Sequence, residues 1–312
     1  MEKLRNRKNN EMTFMKYLID GIPPEIARKA QVELGESEEV RAESLKNLRS
    51  LIKNEPDLHS CMEDTFLLRF LRSKKYRVEK AFKTLKNFYT YKATYSGILT
   101  DFRPSEVLHI LKTNYFTALE YRDSGYAGIG VIRMGEIDLS KITTDEMMAC
   151  ILVMAEIGIN MESIQVAGYA VILDFEGVTI QTVKQFASPT FLYRVIQCIQ
   201  DVIPCRIKGY HIVNQPYFFN IILAIARTFL SAKLSSRLHL HGSNLKSLYK
   251  YVPQEILPEE LGGKQGPISK FLEVYSKKFL SMEDHFTKMI KFGYQGKTLE
   301  ELQKDNPHAV LT

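Results

Sequence analysis

The 312-residue sequence contains no tryptophan, no CxxC pair and no apolar run long enough to cross a bilayer. Zinc sites and small secreted domains need cysteines at matched spacings, so the scattered cysteines predict free, mostly buried thiols in a reducing compartment. Residues 1–25 lack the apolar core of a signal peptide. We therefore expect a cytoplasmic protein. The four cysteines are Cys61, Cys150, Cys198 and Cys205.

An excess of one charge is also missing. The chain has 42 Lys and Arg against 36 Asp and Glu, a net charge of +6, and the two signs interleave along the sequence. A nucleic-acid-binding tail would need a block of basic residues, so we expect no nucleic-acid partner. Gly125, Gly128 and Gly130 precede a predicted strand at a spacing that does not fit a dinucleotide loop, and no cofactor is predicted.

Residues that could support catalysis or bind a metal are isolated. His239 and His241 share one face of an extended segment, but two imidazoles with no Cys or Asp pattern do not complete a metal site. His211 lies in an apolar strand and is interpreted as a core residue. Asp174 and Glu176 end a predicted strand, with no nucleophile motif or nearby histidine to support catalysis. The sequence therefore favours a non-enzymatic protein without a metal.

The first part of the chain predicts helices and no strand. Apolar residues recur at three- and four-residue spacing over residues 66–71 and again over residues 78–89, which is typical of amphipathic helices. We therefore predict an all-helical module over residues 1–95.

Strand and helix patterns alternate after that module. Segments 115–121 and 127–134 resemble a pair of adjacent strands, and further strands alternate with helices up to residue 242. This alternation predicts an α/β domain with a mostly parallel sheet over residues 96–265, a fold that carries a ligand crevice at one end. Residues 266–312 are predicted to form one amphipathic helix and a loose tail.

Residues 206–242 place an apolar run between basic residues. Arg206 and Lys208 are two apart on a predicted strand and project to one face. The run over residues 217–230 is too short to span a bilayer. Lys233 and Arg237 follow it, one helical turn apart. The pattern fits either a core helix with surface lysines or a helix that lies on lipid beside an anionic surface.

Three apolar helices flank the same predicted sheet. They cover residues 146–161, 189–203 and 216–230. One core layer does not require three such helices, so the sequence indicates an enclosed apolar space.

Four ordered segments resemble the CRAL-TRIO lipid-transfer family, notably its animal subgroup of alpha-tocopherol transfer protein, cellular retinaldehyde-binding protein and the clavesins. The segment FLLRFLRSKKYRVEKAFKTLKNFY resembles the family's N-terminal helical module, and the resemblance covers about residues 20–275. It implies a helix-walled pocket for one apolar molecule, with a mobile lid at about residues 216–230. The four segments are GYAVILDFEG, RIKGYHIVNQP, RLHLHG and YKYVPQEILPEELGG.

The resemblance also implies roles for individual residues. Two serines near the bound chromanol of the tocopherol protein match Ile151 and Ala155 here, so a retinoid, a carotenoid-like pigment or another sterol-sized lipid fits as well as tocopherol. Matched phosphoinositide-binding residues are Arg72, Arg206, Lys208, Lys233 and Arg237. Matched lipid-binding positions are Met148, Ile151, Leu152, Ala155, Leu173, Val195, Ile199, Ile203, Phe219, Ile222 and Ile225.

These patterns predict a monomeric, non-catalytic carrier of a small hydrophobic lipid such as a retinoid or tocopherol. It would hold the lipid in a lidded pocket and exchange it at phosphoinositide-containing membranes, with Phe218 and Phe219 entering the membrane interface. We expect it in the cytoplasm and transiently at membrane surfaces. The alternative is a lipid-sensing regulator or scaffold that does not transfer lipid in bulk.

Overall fold

The computed structural model describes residues 14–305, apart from the side chains of residues 273, 274, 303 and 305. The first thirteen residues of the predicted N-terminal module lie outside the described residues. They include half of the segment inspected for a signal peptide. The last seven residues of the predicted C-terminal segment lie outside them as well.

Helices dominate the start of the chain, as predicted. Ser37 caps the second helix by accepting a hydrogen bond from the N–H of Val40. Leu48, Phe70 and Leu85 are buried where the helices meet. The helices are α1 (Pro24–Lys29), which continues as a π-turn over Ala30–Leu34, α2 (Glu38–Lys53), α3 (Asp64–Ser73) and α4 (Val78–Thr94).

The central sheet confirms the predicted α/β class. Its five strands lie side by side in chain order, the first pair antiparallel and every later pair parallel. The parallel strands read as nearly continuous apolar runs because both sheet faces are covered. The strands are β2 (Phe116–Ala118), β3 (Gly128–Arg133), β4 (Tyr169–Asp174), β5 (Ile207–Val213) and β6 (Leu238–Gly242).

Helices precede, connect and follow these strands. Thr143 and Glu146 form a capping box that begins the longest of them. The helices are α5 (Pro104–Leu111), α6 (Thr144–Asn160), α7 (Glu162–Ala167), α8 (Ile180–Phe186), α9 (Pro189–Gln197), which continues as a π-turn over Cys198–Val202, α10 (Phe219–Arg227), α11 (Ala232–Ser235) and α12 (Leu245–Leu248). Short 3₁₀ turns cover Met134–Glu136, Gln254–Ile256 and Glu259–Leu261.

The two faces of the sheet pack against different layers. Alternate strand residues point to opposite faces. Ile129 and Ile172 contact α12 and the segment after it. Val171 and Ile212 belong to the other face and to the core cluster that includes residues of α6, α9 and α10. The functional geometry described below lies on this second face.

The C-terminal segment differs from its prediction. Two helices, α13 (Ser269–Leu280) and α14 (Glu283–Ile290), replace the single predicted helix, and α15 (Leu299–Asp305) forms where a loose tail was expected. The tail prediction is wrong there because Thr298 and Glu301 cap α15 by reciprocal hydrogen bonds. This capping box was present in the sequence.

A short sheet joins the N-terminal helices to the C-terminal segment. β1 (Leu58–His59) pairs antiparallel with β7 (Gly293–Tyr294), so the prediction that the N-terminal part contains no strand is wrong at these two residues. Lys92 of α4 also donates hydrogen bonds to carbonyls of the segment before β7. The three-part division of the chain at residues 95 and 265 stays a prediction.

Two buried arginines join the N-terminal helices to the α/β part. Arg69 of α3 forms an ion pair with Glu156 of α6 at 2.7 Å. Arg72 pairs with Glu36 and with Glu162, both at 2.8 Å, and is fully buried. Burial alone would lower the pKa of Arg72, but the two carboxylates raise it above its ordinary value. The guanidinium is therefore permanently charged and neutralised inside the fold.

Replacing Arg72 with Ala should strongly destabilise the protein. The change leaves Glu36 and Glu162 without their cation, and breaking a buried ion pair costs about 3–5 kcal/mol. Urea-induced unfolding, followed by circular dichroism, measures the loss. The control is Lys141→Ala, since Lys141 is 78% exposed and pairs only with Asp138. Equal unfolding midpoints for the two variants would contradict the expected role of the network.

Candidate functional site

An apolar cavity of about 290 Å³ lies between the sheet and helices α6, α9 and α10. This volume is near the lower end of the roughly 300–1,000 Å³ found for ligand pockets. None of the lining residues carries a charge, and the polar side chains among them are Tyr169, Cys205 and Tyr210. An unpaired charge is costly in such surroundings, so the cavity suits a neutral, mostly apolar molecule.

The apolar character of α6 on nearly all sides explains its double role. Met148, Ile151 and Ala155 recur at three- and four-residue spacing and line the cavity. Cys150 and Ile157 lie on the opposite side of the helix and are buried in the core. One side of the helix therefore packs into the core, and the other side forms part of the cavity wall.

Helix α10 has a buried face and an unusual exposed face. Ile222 and Leu223 line the cavity. Tyr217, just before the helix, is 85% exposed, and Ile221 is 56% exposed. Phe219 is buried with its ring 4.8 Å from that of Phe175, and Phe218 is half-buried, so the entry of these two rings into a membrane interface stays a prediction. The large apolar side chains exposed in this helix region are those of Tyr217 and Ile221.

Most predicted lipid-binding positions reach the cavity wall. Leu152, one residue after Ile151, is rotated by about 100° and lines a second, smaller cavity instead. Ile225 is half-buried at the edge of the core and is not among the lining residues. The nine that line the main cavity are Met148, Ile151, Ala155, Leu173, Val195, Ile199, Ile203, Phe219 and Ile222. Their contact with a lipid stays a prediction.

Sequence analysis missed the polar groups of the cavity wall. Tyr169 lies four residues before Leu173 on β4, so the two share a face of the sheet. Tyr210 lies two residues before Ile212 on β5, which gives the same relation. Strand alternation from Leu173 could have identified Tyr169.

Four predicted cations lie close together where β5 and β6 begin. We call Arg206, Lys208, Lys233 and Arg237 the basic surface. Burial and the neighbouring positive charges lower the pKa of Lys233, and the same two causes lower that of Arg237. Such crowding of like charges is favourable only near an anion.

Gly168 positions the start of β5. It adopts a φ of +90°, and a Cβ there would overlap the carbonyl oxygen of Arg206. The guanidinium of Arg206 donates to the carbonyl of Val166, just before this glycine. The guanidinium of Arg237 similarly donates to the carbonyl of Ile207. Both arginines are thus held by backbone contacts.

Glu33 occupies part of the basic surface. Its carboxylate accepts hydrogen bonds from Arg206 at 2.6 Å and Lys208 at 3.3 Å, and it pairs with Lys29 at 2.6 Å. Partial burial would raise its pKa, but the hydrogen bonds from Lys29 and Arg206 and the charge of Lys208 lower the pKa of Glu33 to about 2. An ionised carboxylate therefore lies where an external anion would bind.

The structure corrects the interpretation of Arg72. Its guanidinium is buried and saturated by Glu36, Glu162 and Gln165, so it is not available to a phosphate. The prediction from resemblance failed because matching positions does not show which partner a cation already has.

The loop after α3 supplies basic residues that sequence analysis missed. Lys75 and Arg77 are close enough to Lys233 for their charges to lower its pKa. Burial and the charge of Lys233 in turn lower the pKa of Lys74. Lys75 and Tyr76 have φ angles of 52° and 55°, so the chain turns tightly here. The consecutive basic residues in SKKYR were the available signal.

The histidines form a stacked cluster on the sheet. The Nδ1 atom of His211 is 3.1 Å from Nε2 of His241, whose Nδ1 is 2.6 Å from the hydroxyl of Ser247. Burial and the charges of His239 and His241 lower the pKa of His211 to about 4, so it is neutral at pH 7. No group of three His, Cys, Asp or Glu residues within the described part of the chain is arranged to hold a metal ion.

Asp174 has a structural role at the end of β4. Its carboxylate accepts hydrogen bonds from the side chain of Asn214 and the N–H of Glu176, at 2.9 and 3.0 Å.

Within residues 14–305, no helix is both long and apolar enough to cross a membrane.

Fold and cavity together define a mostly parallel α/β protein with an apolar cavity beside its sheet. The CRAL/TRIO domain family matches residues 112–263, and the Pinta-like UBA domain family matches residues 37–107. The human protein "Alpha-tocopherol transfer protein-like" is 32% identical over 265 residues, which cover 85% of this chain and 77% of that protein. The chain belongs to the CRAL/TRIO family.

A second curated relative agrees with this assignment. Rat "Clavesin-2" is 30% identical over 256 residues, covering 81% of this chain and 78% of that protein. The solved structure titled "Crystal structure of Sfh5" aligns with a TM-score of 0.49 and 12% identity, covering 84% of this chain and 100% of that one.

Replacing Glu33 with Gln should strengthen anion binding at the basic surface. The change keeps the side-chain shape and removes the competing charge, so inorganic tripolyphosphate should bind about fivefold more tightly, as for an exposed ion pair. Isothermal titration calorimetry measures this affinity. Glu43→Gln, on the exposed side of α2, makes the same change in net charge and serves as control. The competition is disproved when both variants bind as the wild type does.

Proposed function

We propose that the protein is a non-catalytic carrier that binds one small, neutral lipid in the cavity and exchanges it at phosphoinositide-containing membranes. The observation that carries the proposal is the charge-free apolar cavity walled by three helices. A human relative is named for its likeness to a tocopherol transfer protein, which supports a lipid cargo.

Apolar burial supplies the affinity for the cargo. A ligand that buries the equivalent of ten CH₂ groups gains about 8 kcal/mol, at roughly 0.8 kcal/mol each, before the costs of association. Retinoids, tocopherols and lipids of similar size fit this class. Because Ile151 and Ala155 offer no hydroxyl, polar contacts to the cargo must come from other wall residues.

The wall chemistry supports binding without reaction. Burial raises the pKa of Cys205 to about 12, so this thiol is protonated at pH 7 and is a poor nucleophile. No acid, base or amine is among the lining residues. The cavity therefore lacks the paired groups that general acid–base catalysis needs.

Docking at a membrane follows from the basic surface and α10. Each Lys or Arg near an anionic leaflet contributes about 1 kcal/mol, so the four cations give at most about 4 kcal/mol. That range supports reversible docking. Tyr217 and Ile221 would enter the interface, and movement of α10 would open the cavity.

A lipid-sensing regulator is the second candidate. The ion pairs of Glu33 with Arg206 and Lys208 favour it, because they make docking depend on displacement of an internal carboxylate. Lipid transfer between donor and acceptor vesicles separates the candidates. One molecule of a carrier transfers many lipid molecules between vesicles, whereas a regulator binds lipid without accelerating its transfer.

Ile222→Asp should abolish cargo retention while vesicle docking persists. The new carboxylate would face the cavity, where an unpaired charge is disfavoured. The matched control is Ile221→Asp on the exposed side of the same helix, which should retain cargo but dock more weakly. Mass spectrometry of co-purified lipid and vesicle co-sedimentation measure the two properties. Equal cargo content in both variants would argue against the cavity as the binding site.

Reversing charge on the basic surface should have the opposite effect. The double variant Lys233→Glu, Arg237→Glu should bind vesicles containing phosphatidylinositol bisphosphate about tenfold or more weakly and still retain cargo. Added salt should weaken wild-type docking in the same assay, because exposed charges are screened. Arg41→Glu with Lys46→Glu, both exposed on α2, is the control. Docking that changes neither with added salt nor with the charge reversal would contradict this part of the proposal.

A further inference from the structure

A second cavity of about 110 Å³ lies beside the main one, bounded by α4, α6, α14 and the π-turn after α9. Ala155, Ile159 and Ile203 line both cavities. A side chain that faces two cavities is the only layer between them at that point. Ala155 has the smallest of these three side chains, so the partition is thinnest there.

The π-turn shapes the partition. The N–H of Ile203 donates to the carbonyl of Cys198 at 2.8 Å, a five-residue bond that widens the helix. As a result, Ile199 faces the main cavity while Cys198 and Val202 face the second one. Such helix irregularities are frequently found at functional sites.

Tyr91 presents an unused polar group to the second cavity. This residue is 2% exposed, and its hydroxyl has no hydrogen-bond partner among the residues that the structure describes. Its nearby polar neighbour is the thiol of Cys198, which is a weak hydrogen-bonding group. Leaving a buried hydroxyl unsatisfied is unfavourable, and a ligand oxygen would remove that cost.

The charged residues around the second cavity are already paired. Glu156 is neutralised by Arg69 at 2.7 Å and contacts His285 at 2.9 Å. Lys92 pairs with Asp101 at 2.8 Å. A carboxylate or phosphate on the ligand would therefore find no free cation here, whereas a hydroxyl, ether or carbonyl oxygen would find the hydroxyl of Tyr91.

We propose that the two cavities form one ligand site that meets at Ala155, and that the cargo is an elongated neutral lipid whose oxygen-bearing end enters the second cavity and hydrogen-bonds to Tyr91. The inference rests on the proposed carrier function and specifies the cargo. A short lipid would leave the second cavity empty, and a pure hydrocarbon would leave Tyr91 unsatisfied.

The test uses the full-length protein with three probes, octadecanol, decanol and octadecane, in competition with a fluorescent fatty alcohol. Ala155→Leu fills the junction, and it should weaken octadecanol binding about tenfold more than it weakens decanol binding, because only the longer alcohol must pass the junction. Ala224→Leu, on the exposed side of α10, controls for the added side chain.

Tyr91→Phe tests the hydrogen bond separately. Octadecanol should bind about fivefold more weakly to this variant, and octadecane should bind equally to variant and wild type. The thermal stability of the ligand-free protein should fall little, because the contact that the hydroxyl loses is the weak one with the thiol of Cys198. A drop in stability with unchanged octadecanol affinity would show a structural role and overturn the assignment.

The outcomes separate this inference from the function on which it rests. Wild-type protein that binds none of the three probes would overturn the carrier function and this inference together. Binding of octadecanol and decanol that Ala155→Leu weakens equally, or leaves equally unchanged, would overturn the second compartment alone. Should Ala155→Leu fail to fold, Tyr91→Phe with the alcohol and hydrocarbon pair still decides the case.

Discussion

The cavity stays open only if the helices that line it are held in place by contacts on their other sides. For α6, contacts on the side away from the cavity provide this support. Empty volume costs stability because lining atoms lack packing partners. The capping box at Thr143 fixes one end of the helix. Near the other end, Glu156 is bound by Arg69 from α3 and His285 from α14. The N- and C-terminal helices thus support the main cavity, which they do not line.

One strand links the inside of this space to the outside. Along β5 and the residues before it, Cys205, Ile207 and Tyr210 line the cavity, while Arg206 and Lys208 reach the carboxylate of Glu33. Alternation separates Cys205 and Ile207 from Arg206 and Lys208, and a register shift between Ile207 and Gly209 brings Tyr210 to the cavity side. If an anion displaced this strand, the side chains of the same strand that line the cavity would therefore move with it.

The sequence predicted correctly those features that depend on interactions between residues close together in the chain. The cap at Thr143, the alternating strands and the apolar spacing of α6 follow from hydrogen-bonding and burial within a few residues. The failures needed distant partners. The pairing of β1 with β7 joins residues more than two hundred positions apart, and the burial of Arg72 depends on Glu36 and Glu162. The second cavity, which Leu152 of α6 lines together with Cys198 and Val202 of the π-turn after α9, depends on two elements that are distant in sequence and was not predicted.

The buried thiols described above have a consequence for what the protein is able to store. Burial raises the pKa of Cys150, Cys198 and Cys205 to about 12 each, and no lysine lines the cavity. An aldehyde or a polyene held there meets neither a thiolate to add to it nor an amine to form an imine. The residues that line the cavity would therefore present no strong nucleophile to a conjugated or carbonyl-bearing molecule.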